Sequence, residues 1–196
     1  MKQMGNEFVS KEYWAEKENI KLHIFRRQLA SPSADGSPKP ISFFVHGSSY
    51  AGITGHDLEV PGREDYSLMN TFARLGYDVW SMDHEGYGFS GLREGANSDI
   101  ASGVEDLKAA TDIIIGETGV SSFLFSGQSS GALRAAAFAE AYPERVKRLA
   151  LGAMVWTGEG SPTLAERSKK LDQWRSSNKR PVNREFFETI FSRDID

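Results

Sequence analysis

The segment GQSSG, residues 127–131, joins a short apolar run to an alanine-rich run. Val120–Phe125 before it has the composition of a strand, and Ser130–Tyr142 after it has the composition of a helix. A serine with glycines two residues before and after it can occupy a sharp strand-to-helix turn, because only small neighbours leave room for the strained backbone. We therefore expect the Ser129 hydroxyl to project above the carboxyl ends of parallel strands, in front of a helix N-terminus. The alternative is a glycine–serine turn without a chemical role.

Strand and helix patterns alternate along the chain on both sides of this turn. Strands are predicted at Ile41–Val45, Tyr77–Met82, Val120–Phe125 and Val146–Trp156, and helices at Gly62–Gly76, Asn97–Gly116 and Ser130–Tyr142. This alternation predicts an α/β fold with a mostly parallel sheet and helices on both of its faces. Two runs with period-2 alternation, Phe8–Trp14 and Ile20–Leu29, predict antiparallel strands at one edge of the sheet.

The composition narrows the class of protein. The 196 residues include 23 basic and 27 acidic ones, giving a net charge of −4, and no basic stretch is dense enough to predict nucleic-acid binding. The absence of cysteine excludes disulfides, thiolate metal sites and cysteine nucleophiles. No run approaches the roughly 20 apolar residues that span a bilayer, and the first residues lack the apolar part of a secretory signal. We therefore expect a cytoplasmic protein without a membrane span.

A second motif, His46-Gly47-Ser48, directly follows the first of the apolar strands. A turn at this position can point the backbone N–H of Ser48 toward the space above Ser129. Together with the backbone N–H of Ser130, it would form an oxyanion hole, a pair of donors that stabilises a negatively charged intermediate. The side chain of His46 is interpreted as a packed, hydrogen-bonded loop histidine.

A third motif, DHEGYGFSG at residues 83–91, follows the strand predicted at Tyr77–Met82. It contains Gly86-x-Gly88-x-x-Gly91, the glycine pattern of dinucleotide-binding folds, which raises a nucleotide-dependent oxidoreductase as an alternative. The context argues against that alternative, since no apolar helix opens at Gly91 and no acidic residue ends a second strand about twenty residues later.

The three motifs in this order resemble the α/β-hydrolases, and the string at residues 83–90 is similar to the monoacylglycerol-lipase-like serine hydrolases. The resemblance covers residues 7–157. It implies Ser129 as the nucleophile, the backbone N–H groups of Ser48 and Ser130 as the oxyanion hole, and Gly47, Gly127 and Gly131 as turn glycines. It also implies a small-molecule carboxylic ester as substrate, with no cofactor and no metal. A serine rather than an aspartate at position 129 disfavours the dehalogenase and epoxide-hydrolase branches.

The chain departs from the order of that family in one respect, because no histidine follows Ser129. The family places an acid and then a histidine after later strands, so the resemblance implies that a C-terminal part carrying both residues is missing. His84 and His46 are weaker candidates for the base, because both lie in motifs that the family uses for backbone turns. Glu159 is a candidate for the acid at an unusual position, although a solvated loop charge is the plainer interpretation. Without a base Ser129 stays protonated, so we expect the chain alone to be nearly inactive.

The resemblance assigns residues 1–157 to the hydrolase core and residues 158–196 to the beginning of a helical cap or lid. In this second part, Leu164, Leu171 and Trp174 predict a charged helix, and Phe186 and Phe187 predict another. Its aromatic side chains are interpreted as the packing face of a cap, with the covering of an apolar acyl pocket as the functional alternative. A further alternative is a non-catalytic module whose sheet is completed by a partner chain or by self-association, because a bare strand edge invites pairing.

Overall fold

The computed structural model describes residues 7–63, 66–95, 97–155, 157–177, 179 and 183–191. Its strands are β1 (Phe8–Lys17), β2 (Ile20–Leu29), β3 (Ile41–Val45), β4 (Asp78–Met82), β5 (Phe123–Gln128) and β6 (Val146–Gly152). The helices in these ranges are α1 (Gly52–His56), α2 (Leu68–Arg74), α3 (Ile100–Thr118), α4 (Ser130–Ala141), α5 (Pro162–Ser168), α6 (Leu171–Ser176) and α7 (Arg184–Phe191). The chain divides into two compact units, residues 1–156 and residues 157–196.

The strands of the first unit form one mixed sheet in the order β1-β2-β4-β3-β5-β6. The β4–β3, β3–β5 and β5–β6 pairs are parallel, whereas β2 is antiparallel to both β1 and β4. Glu18 and Asn19 join β1 to β2 with positive φ angles of 47° and 68°, which is the geometry of a two-residue hairpin turn. The predicted mostly parallel sheet with an antiparallel N-terminal pair at its edge is confirmed.

Helices cover both faces of the sheet, because side chains alternate along each strand and supply two separate apolar clusters. Phe43 lies with Leu107 of α3 and Phe138 of α4 in the larger cluster. Its neighbour Phe44 lies with Met69 of α2 in the smaller cluster. Each of these side chains is at most 2% exposed. The two clusters therefore fix β3 and the strands beside it, whose carboxyl ends lead into the sequence motifs.

The starts of two helices differ from the predicted ones because capping residues decide them. α2 begins at Leu68 rather than at residue 62, where Ser67 caps it by accepting the N–H of Asn70. α3 begins at Ile100 rather than at residue 97, because the Asp99 carboxylate accepts an N–H from its first turn. No sequence pattern predicts the five-residue helix α1.

The end of α3 explains why β5 begins three residues later than predicted. α3 continues to Thr118, and Gly119 then takes a left-handed conformation with φ of 71°, donating its N–H to the Ile115 carbonyl at 2.8 Å. Thr118 Oγ1 accepts the N–H of Val120 at 3.1 Å. The backbone around residue 120 therefore ends the helix, and the strand begins at Phe123. The neighbouring edge strand, β6, stops at Gly152, four residues short of its predicted end.

The second unit contains short helices. Leu164 and Leu171 lie on two separate helices, α5 and α6, rather than on the single charged helix predicted from the sequence. α5 starts at Pro162 after Ser161, which accepts the N–H of Leu164 at 3.4 Å. The side chain of Trp174 lies outside the described part of the chain. None of the helices in the described ranges is long and apolar enough to cross a membrane.

Candidate active site

The turn between β5 and α4 holds Ser129 in a backbone conformation that residues other than glycine rarely adopt, with φ of 57° and ψ of −123°. Glycines surround this turn because nothing larger fits. A Cβ atom on Gly131 would overlap the Val45 carbonyl and lie 2.6 Å from the His46 carbonyl oxygen. A Cβ atom on Gly127 would lie 2.7 Å from the Gly131 carbonyl carbon. The Gly-x-Ser-x-Gly spacing is therefore a packing requirement of a strained corner at the end of the sheet.

The backbone around Ser129 is fixed on both sides of the side chain. Its N–H donates to the Gly152 carbonyl of β6 at 2.9 Å, and its carbonyl accepts the N–H of Ala132 at 3.0 Å. Ser129 is half-buried, and Ser130 and Gly131 are the first two residues of α4. N–H groups at such positions have no acceptor within the helix and carry the positive end of its dipole. The N–H of Ser130 is therefore available to an oxygen atom above the turn.

The loop after β3 lies directly against this turn. A Cβ atom on Gly47 would lie 3.0 Å from the Gln128 carbonyl oxygen and 3.2 Å from Ser129 Cβ. The next residue, Ser48, is exposed. The structure thus brings together the two motifs that the sequence places about 80 residues apart. Gly47 therefore lies against Ser129 across the turn, and Ser130 follows Ser129 directly in the chain.

His46 is almost fully buried, with 2% of its surface exposed. Its Nε2 accepts the N–H of His84 at 3.0 Å, so the ring proton is on Nδ1, which donates to the Gly47 carbonyl at 2.7 Å. Burial lowers the pKa of His46 well below its usual value, and the neighbouring His84 lowers it further. His46 is therefore a neutral imidazole with both nitrogens engaged by the backbone.

His84 is fully buried and bonded to a carboxylate. Its Nδ1 donates to Asp106 Oδ2 at 3.0 Å. Burial first, and the positive charge of Arg134 second, lower the pKa of His84 to about 4 despite that carboxylate. In the described part of the chain, the hydrogen bonds of His84 and His46 involve groups other than the Ser129 hydroxyl. The structure therefore places neither predicted base candidate in hydrogen-bond contact with Ser129.

The other two histidines are also buried and bonded elsewhere. His23 contacts Asp83 Oδ2 at 3.2 Å, and His56 contacts Ser81 Oγ at 2.9 Å. Burial lowers the pKa of His56 to about 4. Glu159, the sequence candidate for the acid, is exposed in the second unit. Within the described ranges, each of the four histidines is thus hydrogen-bonded to a group other than the Ser129 hydroxyl.

Gly86 and Gly88 have a structural function in this loop, which differs from the nucleotide binding that the glycine pattern indicates. Asp83 is fully buried, and its carboxylate accepts the N–H of Gly52 at 2.8 Å and that of Phe89 at 3.0 Å. A Cβ atom on Gly88 would overlap this carboxylate. Gly86 and Gly88 both have positive φ, 82° and 49°, so the loop folds back onto Asp83 instead of opening a phosphate-binding helix. The oxidoreductase alternative loses its structural basis.

Beneath this loop lies a buried ionic network that the sequence motifs do not reveal. Lys17 of β1 pairs with Asp106 of α3 and, at 2.8 Å, with Glu85 of the loop. Arg93 pairs with the other oxygen of Glu85 at 3.0 Å. Burial alone would raise the pKa values of both carboxylates, but the bonds from His84 and Lys17 to Asp106, and from Arg93 and Lys17 to Glu85, lower each to about 2. The network ties the loop to β1 and α3.

One signal for this network exists in the sequence. Asp106 lies between Val104 and Leu107 on the inner side of α3, where the apolar spacing predicts core residues. An acidic side chain at such a position must pair with a cation and hydrogen-bond donors to be tolerated. The spacing alone does not identify Lys17, 89 positions away, as the partner.

Comparison with known proteins identifies relatives at the level of family and fold. The family described as serine aminopeptidase, S33, matches residues 60–189. No curated protein sequence matches significantly.

Several solved structures share the fold. A thioesterase domain from the curacin biosynthetic pathway has a TM-score of 0.60 at 22% identity, over 89% of this chain and 55% of that domain. A predicted CIB-like hydrolase from Thermoplasma acidophilum has a TM-score of 0.56 at 19% identity, over 78% of this chain and 66% of that one. Est816, described as an N-acyl homoserine lactone degrading enzyme, has a TM-score of 0.56 at 22% identity, over 82% and 53% of the two chains. The chain thus spans about half to two thirds of the length of these structures.

Proposed function

The chain belongs to the serine aminopeptidase S33 family of α/β-hydrolases, and we propose that Ser129 is the nucleophile with which it hydrolyses a carboxylic ester. The observation that carries this proposal is the backbone of Ser129, whose φ of 57° costs on the order of 1–3 kcal/mol. Close packing of the loop after β3 and the first turn of α4 maintains that strain. Its ψ of −123° also lies far from the left-handed helical region, near +30° to +60°, in which residues other than glycine with positive φ mostly occur.

In the proposed reaction, Ser129 Oγ forms a bond with the carbonyl carbon of the ester, and the π electrons move to the carbonyl oxygen. The backbone N–H groups of Ser48 and Ser130 donate to this oxyanion. The carbonyl then re-forms, the C–O bond to the alcohol breaks, and the departing oxygen takes up a proton in place of the one lost from Ser129 Oγ. The acyl group left on Ser129 is removed by water in the second half of the cycle. Loss of one such donor typically lowers the rate about 10²–10³-fold.

The proton of Ser129 needs an acceptor for fast attack. The four histidines of the sequence are all at most 7% exposed and bonded to other groups. We infer that none of them is the base, and that the imidazole and its acid belong to polypeptide outside these 196 residues. The chain alone then turns over esters far more slowly than a complete serine hydrolase, because the oxyanion hole and binding remain without the proton relay.

The edge strand β6 is the place where such polypeptide would add to the sheet. Six of its seven residues are exposed, and Leu149 and Leu151 are 38% and 39% exposed. A partner segment or a second copy pairing along β6 would cover these two side chains. Native mass spectrometry tests this part of the proposal, since a chain that stays monomeric over a wide concentration range contradicts self-association.

The proposed chemistry is tested with p-nitrophenyl butyrate and an aminoacyl p-nitroanilide, the second because the family description names a peptidase. Intact-mass measurement is expected to show one butyryl group per chain and none on Ser129→Ala. Ser121→Ala, an exposed serine before β5, is the matched control and should acylate like the wild type. Acylation of Ser129→Ala at the wild-type rate would contradict the assignment of the nucleophile. Turnover of the wild type at the rate of ordinary esterases would contradict the inference that the base is absent.

A further inference from the structure

Two side chains hold the loop that carries the Ser48 amide. The geometry points to His46 and Tyr87 as positioning residues, which orient the peptide N–H of Ser48 toward Ser129. This inference rests on the proposed function, since it assigns a role in the reaction attributed to Ser129.

His46 fixes the peptide unit that contains the N–H of Ser48. In a planar trans peptide, the carbonyl of one residue and the N–H of the next point in opposite directions. His46 Nδ1 donates to the Gly47 carbonyl at 2.7 Å, so it fixes the direction of that carbonyl. The N–H of Ser48 belongs to the same peptide plane and must point the opposite way. One side-chain hydrogen bond thus sets the orientation of the donor.

Tyr87 holds the following peptide unit. Its hydroxyl donates to the Ser48 carbonyl at 3.3 Å, and its ring packs edge-on against the ring of His46, with centroids 4.8 Å apart. The carbonyl groups on both sides of the Ser48 amide are therefore bound by side chains. The amide between them loses the freedom to rotate away from Ser129.

A second hydrogen bond, at Nε2, holds the ring of His46 in place. Its Nε2 accepts the backbone N–H of His84, whose side chain is bound to Asp106. The neutral imidazole can accept at Nε2 and donate at Nδ1 at the same time, whereas the protonated ring could only donate. Rigid support for the Ser48 amide therefore runs from α3 through His84 and His46 to the Gly47 carbonyl.

A pair of amide variants separates orientation of the Ser48 amide from simple packing. The side-chain nitrogen of His46→Asn can replace Nδ1 as donor to the Gly47 carbonyl but cannot reach the His84 N–H. The side chain of His46→Gln reaches the position of Nε2 but leaves the Gly47 carbonyl without its donor. Tyr87→Phe removes the bond to the Ser48 carbonyl and the interaction of the hydroxyl with the Arg134 guanidinium, and keeps the ring. Tyr142→Phe, at the opposite end of α4 from Ser129, is the matched control for loss of a hydroxyl.

The readout is phosphonylation of the full chain by an alkyl fluorophosphonate, followed by intact-mass measurement. In this step Ser129 Oγ forms a bond with phosphorus, fluoride leaves, and the hydroxyl proton passes to the buffer. Saturation kinetics separate the maximal rate from the half-saturating concentration. We expect the maximal rate to fall about tenfold in His46→Gln, a fraction of the 10²–10³-fold loss for a missing donor. We expect about a threefold fall in Tyr87→Phe, because the bond is long, and less than about twofold in His46→Asn. Half-saturation should not change.

The outcomes distinguish this inference from the function on which it rests. A labelled wild type and an unlabelled Ser129→Ala variant support the proposed function. A higher maximal rate of labelling in His46→Asn than in His46→Gln then supports the positioning role. Equal rates for both variants, the reverse order, or a Tyr87→Phe rate equal to that of Tyr142→Phe would overturn the positioning role alone. A wild type that stays unlabelled would overturn both. If His46→Gln does not fold, Tyr87→Phe decides by the same comparison.

Discussion

Replacing Asp106 by asparagine should destabilise the fold more than any change of one surface charge. The Asp106 side chain is fully buried, and it binds Lys17, the His84 ring at 3.0 Å and the Glu85 N–H at 3.0 Å. Asparagine has nearly the same shape and retains one acceptor oxygen. The variant therefore removes the negative charge while leaving little cavity.

The pKa of Asp106 gives the magnitude. It falls from an ordinary value of 3.8 to about 2, because the bonds from His84 and Lys17 outweigh the effect of burial. Each pKa unit corresponds to about 1.4 kcal/mol, so the ionised carboxylate contributes roughly 2–3 kcal/mol to the free energy of unfolding at pH 7. Lys17 keeps Glu85 as a partner at 2.8 Å, so the loss should remain at the low end of the roughly 3–5 kcal/mol seen when a buried pair is broken.

The sign of the pH dependence follows from the lowered pKa. The contribution is complete above the unfolded-state pKa near 3.8 and is lost as the pH falls through about 2. Urea unfolding followed by the fluorescence of buried Trp80 should show a gap between wild type and Asp106→Asn at pH 7 that shrinks by roughly half at pH 3. Asp112→Asn, on the same helix with a half-exposed side chain, is the control and should cost less than about 1 kcal/mol. A cost for Asp106→Asn no larger than that of Asp112→Asn would refute the assigned role of the network.

Two further predictions concern the turn and the hairpin. Gly131→Ala should lower the free energy of unfolding by about 1–3 kcal/mol and abolish labelling of Ser129, because the added methyl meets the His46 carbonyl. Gly116→Ala has open space around its Cβ in α3 and should instead stabilise by about 0.5–1 kcal/mol, so equal effects of the two variants in urea unfolding would contradict this packing. Burial alone would lower the pKa of His23, but Asp83 raises it above 6.5. The protonated His23 ring therefore contributes stability that is complete below pH 6.5 and is lost as the pH rises through the raised pKa. NMR titration should therefore find His23 titrating above 6.5, and a lower value would contradict the pairing.

The sheet and its central turn could be predicted because they depend on local pattern. Val45 ends a short apolar run of the kind expected for a strand covered on both faces, and β3 has the predicted bounds. The turn at Ser129 follows from glycine spacing, which reports backbone crowding rather than a distant partner. The strand-to-helix position of Ser129 was accessible from the sequence for that reason.

The rest depends on contacts between residues far apart in the chain. The neutral state of His46 follows from the His84 N–H, 38 positions away, and no spacing rule connects the two. The partner of Asp106 lies on the first strand. The start of α2 is set by the Ser67 cap, and the apolar spacing that predicts the helix does not identify that residue. Side-chain partners of this kind are settled by the assembled fold.

The strand order has a consequence for the time course of synthesis. β2 pairs with β4, whose first residue, Asp78, is made 49 positions after Leu29. A ribosome adding about 5–20 residues per second needs several seconds for that interval, whereas a hairpin closes within about 1–10 μs. The β1–β2 hairpin therefore opens and closes many times before β4 has been synthesised. The free edge of β2 is then the template with which β4 pairs.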